Sequence, residues 1–220
     1  MGNSSALMYE LKLSMSRKGN LLNAIILFIL IISTALFTMK NVEIIKVLPT
    51  ILWICSISAV HMSMCHLFEN DYANGSLEQM LIQESMVELI IFFKILSHWI
   101  CVGIPVSIIS MFIDFIILES NIYTTLGLGL SLGISLLVIS FISAVGEALV
   151  LGRGSGIIIA QILTLPIMIP VLVYFSLVFD SIINGVYREN LMLLGLIIAG
   201  VVPISVIFVS FAIRVAVEYD

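Results

Sequence analysis

Three histidines and three cysteines are the side chains of this 220-residue chain with the chemistry to hold a transition metal. His61 and Cys65 stand four residues apart, which places them on one face of a helix, and His66 nearly shares that face. His98 stands alone, one turn after Lys94. A lone imidazole near a helix end is more often a hydrogen-bonded residue than a ligand, and all three are read that way. Cys55, Cys65 and Cys101 lie in apolar stretches, show no C-x-x-C spacing and are odd in number. That pattern argues against a disulfide framework or a zinc site and for buried, reduced thiols.

Other chemistries are equally unsupported. Binding of ATP phosphates needs a glycine-rich loop with its lysine, G-x-x-x-x-G-K-[ST], and the sequence contains none. The nearest cluster, Gly152-Arg153-Gly154-Ser155-Gly156, lacks the lysine and reads as a tight turn. Charged residues at membrane depth are functional suspects by default. Lys94 is expected to snorkel to the headgroups. Glu147 comes within reach of Arg153, and Asp114 and Asp180 close apolar segments. All four read as interfacial, which leaves a proton relay without support. No Ser/His/Asp set or carboxylate pair falls at one depth, so the chain is read as non-catalytic.

The elements that must position these residues follow from composition. Hydrophobic residues make up 61% of the chain and charged residues 10%, too few charges to cover a water-soluble surface. The mean hydropathy of +1.23 agrees. The net charge of −5 argues against nucleic acid as a partner. The expectation is an all-α polytopic membrane protein, one transmembrane domain over 1–220, with six transmembrane helices near 21–39, 47–68, 89–113, 126–151, 156–179 and 191–216. The first run is longer than a signal-peptide core of ~7–15 residues and lacks a clean A-x-A site, so it reads as a retained span. Ahead of it, Leu7, Leu11 and Met15 recur at helical spacing beside Glu10, Lys12, Arg17 and Lys18, the pattern of an amphipathic interfacial helix. Lys12, Arg17, Lys18, Lys94, Arg153 and Arg214 fall on one side, against Lys40, Lys46 and Arg188 on the other. The positive-inside rule then puts both termini in the cytoplasm.

The loop between spans 2 and 3 is the most organised segment. It carries Glu69, Asp71, Glu78, Glu84 and Glu88. Asn74-Gly75 signals a turn. Ser76 with Gln79 three residues on forms a capping box, which predicts a short helix over 77–82 with Leu77, Met80 and Leu81 on one face. Ser85 and Glu88 form a second box at the start of span 3. A short interfacial helix joined rigidly to a span is either a lever, since a push on it tilts the span, or a plain connector that happens to be helical. In span 5, Pro166 and Pro170 each remove a backbone hydrogen bond, so this helix is expected to kink, either as a hinge or as static packing. In span 4, Gly127, Gly129 and Gly133 form a small-residue face, with Gly129 and Gly133 in G-x-x-x-G spacing, suited to close helix contact within the subunit or across a dimer.

The segment from Glu69 to Leu81, with its core Gly75-Ser76-Leu77-Glu78-Gln79-Met80-Leu81, resembles the E-x(n)-G-[ST]-L-E-Q-[LM]-[LM] loop of ABC-2-type permeases. FENDYANGSLEQMLIQ, FFKILSHWICVGIPVSIIS and LGRGSGIIIAQILTLPIMIPVLVYF together resemble the haem exporter protein B (CcmB) family of the bacterial cytochrome c maturation system. The resemblance covers essentially the whole chain. Many relatives carry prolines just after the short helix, where this chain has Gln83-Glu84-Ser85-Met86.

The resemblance implies a permease subunit in the bacterial cell inner membrane, with Gly75–Leu81 as the ATPase-coupling segment. It implies a CcmA-like ATPase subunit in a 2+2 assembly, hence two copies of this chain. Further implied partners are a CcmC-like haem-handling membrane protein, a small CcmD-like subunit and a CcmE-like haem chaperone, with membrane lipid around them. ATP is then used by the partner, and haem is a substrate rather than a resident cofactor. The family's tryptophan-rich haem motif belongs on a different subunit, and Trp53 and Trp99 read here as packing or interfacial residues. The alternative is a structural scaffold that recruits the ATPase and the haem-handling subunit without forming a substrate path.

Overall fold

Runs of Ile, Leu, Val and Phe that contact lipid must satisfy every backbone N–H and C=O within the segment, and the α-helix does this. The computed structural model describes residues 8–10, 12–13, 18–38, 41–64, 67–82, 87–152, 156–183 and 188–218. Among these residues the ordered elements are all helical. They are α1 (Lys18–Thr38), α2 (Asn41–Met64), α3 (Glu69–Ala73), α4 (Ser76–Ile82), α5 (Val87–His98), α6 (Ile104–Leu118), α7 (Ile122–Leu149), α8 (Gly156–Ile183) and α9 (Arg188–Glu218). Four stretches, Val47–Ala73, Val87–Leu118, Ile122–Leu149 and Gly195–Glu218, are long and apolar enough to cross a bilayer. Leu22–Thr38 and Ile162–Val178 are shorter apolar helices. Of the expected N-terminal interfacial helix, 8–10 and 12–13 are described, and they are helical.

Several helices run beyond the apolar segments that mark them in the sequence. α6 continues to Leu118, where the sequence predicts an end near Ile113, and stops at Glu119, whose φ of 48° is left-handed. α7 and α9 likewise begin ahead of their expected spans. Hydropathy marks what lies in hydrocarbon, whereas helical hydrogen bonding carries on into polar flanks.

α5 passes into α6 through a π-helical turn, Trp99–Gly103. Pro105 follows in the first turn of α6. A proline ring clashes with the carbonyl four residues back, and the wider π turn makes room for it. Trp99 lies over Gly103, where an added Cβ would come within 2.6 Å of the indole. Its Nε1–H donates to the Gly133 carbonyl of α7 at 2.9 Å.

α7 is the central post. Its face includes buried Gly127, Gly129, Ser131, Gly133, Ser135, Ser140 and Ser143. The small-residue stripe is an internal contact with α6: a Cβ on Gly129 would strike Met111 Sδ at 2.0 Å, and one on Gly133 would touch Ser107 Oγ at 3.5 Å. Two apolar cores flank it. One joins Phe28 of α1, Leu52 and Trp53 of α2, Val106 of α6, Leu132 of α7 and Phe175 of α8. The other gathers the last turns of α2, α7 and α9 with the start of α5, through Met64, Ala148, Ile213 and Val87. Those four helix ends therefore lie at one end of the bundle. The outer faces remain apolar, with Ile162, Leu163, Ile169, Ile207, Phe208 and Phe211 exposed. An apolar coat of this extent is what hydrocarbon, not water, accommodates.

Candidate functional site

The segment after α2 folds as two short helices across that end of the bundle, where the sequence predicts one. α3 opens with the Asp71 and Tyr72 N–H groups donating to the Phe68 carbonyl at 3.1 and 2.9 Å. It closes on Asn74, with the Gly75 N–H donating to the Tyr72 carbonyl at 3.0 Å. Gly75 has φ +68°, the left-handed position that follows a helix end and that only glycine takes without strain. The Gln79 N–H then donates to the Gly75 carbonyl at 3.2 Å, so α4 begins at Ser76. This corrects the expected start at Leu77. Gly75 occupies the cap position that the capping box gives to Ser76, because the turn closing α3 runs straight into the first hydrogen bond of α4. The second box includes Ser85, which lies outside the described residues.

α4 has two unlike faces. Leu77 is 3% exposed and sits in the core with Met64, Phe68 and Ile213. Met80 and Leu81, half-buried, pack against the same core. Ser76, Glu78 and Gln79 are exposed, and Ile82 is 78% exposed. The segment Gly75–Leu81 is thus brought together as one unit, with an anchored side and an offered side.

Polar contacts tie this unit and its neighbours to the spans. Lys94 of α5 forms an ion pair with Asp71 of α3. The Lys94 Nζ also lies 5.7 Å from the centroid of the Phe68 ring. Lys94 is buried, which corrects the snorkelling reading: a partner carboxylate on the loop reaches it in place of the headgroups. The Ser210 hydroxyl of α9 donates to Glu88 Oε1 at 3.0 Å, and Arg214 Nη2 stands 3.8 Å from the same atom.

The histidines form interhelical nodes. His61 Nδ1 is 2.8 Å from Ser143 Oγ of α7, and His61 Nε2 is 3.2 Å from Thr164 Oγ1 of α8. His98 Nε2 is 3.0 Å from Ser63 Oγ. The single Ser63 hydroxyl proton goes to the Val60 carbonyl at 2.7 Å, so the His98 Nε2–H is the donor. His98 Nδ1 is then a buried lone pair with no hydrogen-bond partner. His66 and Cys65 lie outside the described residues. Among the described residues, no group of three or more His, Cys, Asp or Glu side chains is placed to hold a metal ion.

The remaining candidates are distributed. Asp114 does not face solvent: it is buried, and the Thr125 hydroxyl donates to its Oδ2 at 3.0 Å, because α6 extends past it and α7 folds back over it. Glu147 is buried, and Arg153 lies outside the described residues. Asp180 is exposed. α8 runs unbroken through Pro166 and Pro170, which face outward, while Thr164 and Met168 on the opposite side are buried. Trp53 packs on Phe175 with ring centroids 5.8 Å apart. Sequence reasoning missed α3 and the π turn. Tyr72 and Asp71, amphipathic about a five-residue helix, carried too short a signal to be read alone.

Apolar helices of spanning length around a polar-stitched central post, with two short helices docked across one end, define a multi-pass membrane protein. The CcmB protein family model matches residues 1–220, and the chain belongs to that family. It is 30% identical over 213 residues to heme exporter protein B of Haemophilus influenzae, covering 95% of this chain and 96% of the relative. It is 30% identical over 181 residues to the protein of the same name from Pseudomonas aeruginosa, covering 80% and 79%. The Escherichia coli protein of that name is 24% identical over 174 residues, covering 79% of each chain.

Proposed function

We propose that this chain is the permease subunit of an ATP-driven complex that exports haem, or delivers it to a chaperone outside the inner membrane, for c-type cytochrome biogenesis. In this reading the chain crosses the membrane six times, with both termini and the α3–α4 unit in the cytoplasm. A separate CcmA-like ATPase grips the exposed face of α4 and supplies the energy, and two copies of each chain assemble. CcmC-like, CcmD-like and CcmE-like proteins handle the haem. Haem is substrate here, not a bound cofactor. Pro166 and Pro170, each of which removes a backbone hydrogen bond from α8, serve as a hinge that lets its outer half move during the cycle.

The observation that carries this reading is the division of α4 into a buried face and an exposed one. Leu77 fastens the helix to the spans, and Glu78, Gln79 and Ile82 remain for a partner. Ile82, 78% exposed beside two polar side chains, supports the reading by offering a partner an apolar contact. The test is co-purification of the complex in mild detergent. Glu78→Lys with Ile82→Asp is expected to release the ATPase while the permease stays in the membrane. Retention of the ATPase by that double variant would reject the assignment.

A further inference from the structure

We propose that α3 is the joint through which movement of the loop reaches α5 and the end of α7. It has two attachments: the Asp71–Lys94 ion pair to α5, and Tyr72 against Gly152 at the turn after α7. The inference rests on the functional reading above and adds the route by which force travels.

A five-residue helix has no stability of its own, since helices shorter than about 12–15 residues are marginal in water. Its position is therefore dictated by what it touches. Lys94 lies within the apolar stretch Val87–Leu118 and is 7% exposed. Burying a charge there is costly, and an apolar side chain at the same place is often as stable or more so. An ion pair retained at such a position serves geometry more than stability. It holds α3 to α5 with a strength that neither partner replaces alone. Phe68, directly ahead of α3, closes the pair from the apolar side, with its ring centroid 5.7 Å from Nζ.

The second attachment reaches a different span. Gly152 has φ +79°, and a Cβ built on it would fall 2.8 Å from the Tyr72 hydroxyl and 3.2 Å from Cζ. The phenol thus lies flush on the backbone that ends α7. Tyr72 also packs on the core shared with Phe141 and Ala148 of α7. Neighbouring residues of one short helix therefore contact α5 and the end of α7. A displacement of α4, joined to α3 through Asn74 and Gly75, is delivered to both at once.

The test uses the assembled complex in native membranes and reads two quantities: ATPase recruitment, and ATP-dependent release of the haem-loaded chaperone. The double variant Asp71→Asn with Lys94→Met removes both charges of the pair. It is expected to recruit the ATPase as the wild type does and to lose release. Normal release from it overturns the joint. Should it fail to accumulate, Tyr72→Ala, which removes the other attachment, is read in the same way with the same two outcomes. The double variant Glu78→Lys with Ile82→Asp separates the claims. Loss of recruitment there alongside normal release from Asp71→Asn/Lys94→Met sinks the joint alone. Unchanged recruitment in the Glu78/Ile82 variant sinks the functional reading beneath it.

Discussion

Leu77 and Glu78 are adjacent in the chain and opposite in surroundings: one is in the core beneath α4 and the other faces out. Their substitutions should therefore separate folding from partner binding. Leu77→Ala removes a buried side chain and is expected to cost about 2–5 kcal/mol, the range for large-to-small core changes. It should lower the melting temperature in detergent and expose the loop to protease. Glu78→Ala is expected to leave stability within about 0.5 kcal/mol, as surface changes do, and to weaken ATPase recruitment. The two left-handed glycines form a second pair. Gly75→Ala meets open space and should cost about 1–2 kcal/mol from its φ alone. Gly152→Ala carries the same backbone penalty and a clash with Tyr72, so it should cost more, and Tyr72→Ala should recover the difference. Thermal unfolding of the four variants checks the order.

At the scale of elements, the contact between α6 and α7 is set by absent side chains. Gly129→Ala drives a methyl into Met111 and is expected to cost about 1–3 kcal/mol through overpacking. Met111→Ala in the same chain should restore the loss, measured by thermal unfolding in detergent. An unchanged melting temperature in Gly129→Ala would place the small-residue stripe elsewhere. The same elements show what was legible beforehand. The long helices follow from apolar run length, and Leu77, Met80 and Leu81 follow from helical spacing. Gly129 and Gly133 announced close packing, but spacing cannot say whether the neighbour is α6 or another subunit. α3 was hidden because five residues span little more than one turn, too short for a period to show. The π turn was hidden because its cause is a proline acting on the turn before it, not a residue inside it. Lys94 and Asp114 misled for one reason: their depth in the chain was visible, but the partners that cover them, Asp71 and Thr125, come from elements whose placement is tertiary.

For the whole molecule, the second core gathers the ends of α2, α7 and α9, the start of α5 and the two short helices at one end of the bundle. α3, α4 and the Glu88–Ser210 contact therefore lie together at one end of the bundle. We propose that this end faces the cytoplasm, the orientation that six basic residues against three favour. Thiol cross-linking in membrane vesicles tests the assignment and the grip together, using Glu78→Cys, Ile82→Cys and Leu77→Cys in the assembled complex. Cysteines at 78 and 82 should react from the cytoplasmic face and cross-link to the ATPase subunit, while a cysteine at 77 stays unreactive. Reaction of 78 and 82 from the opposite face only, or cross-links from 77 in their place, would contradict the account.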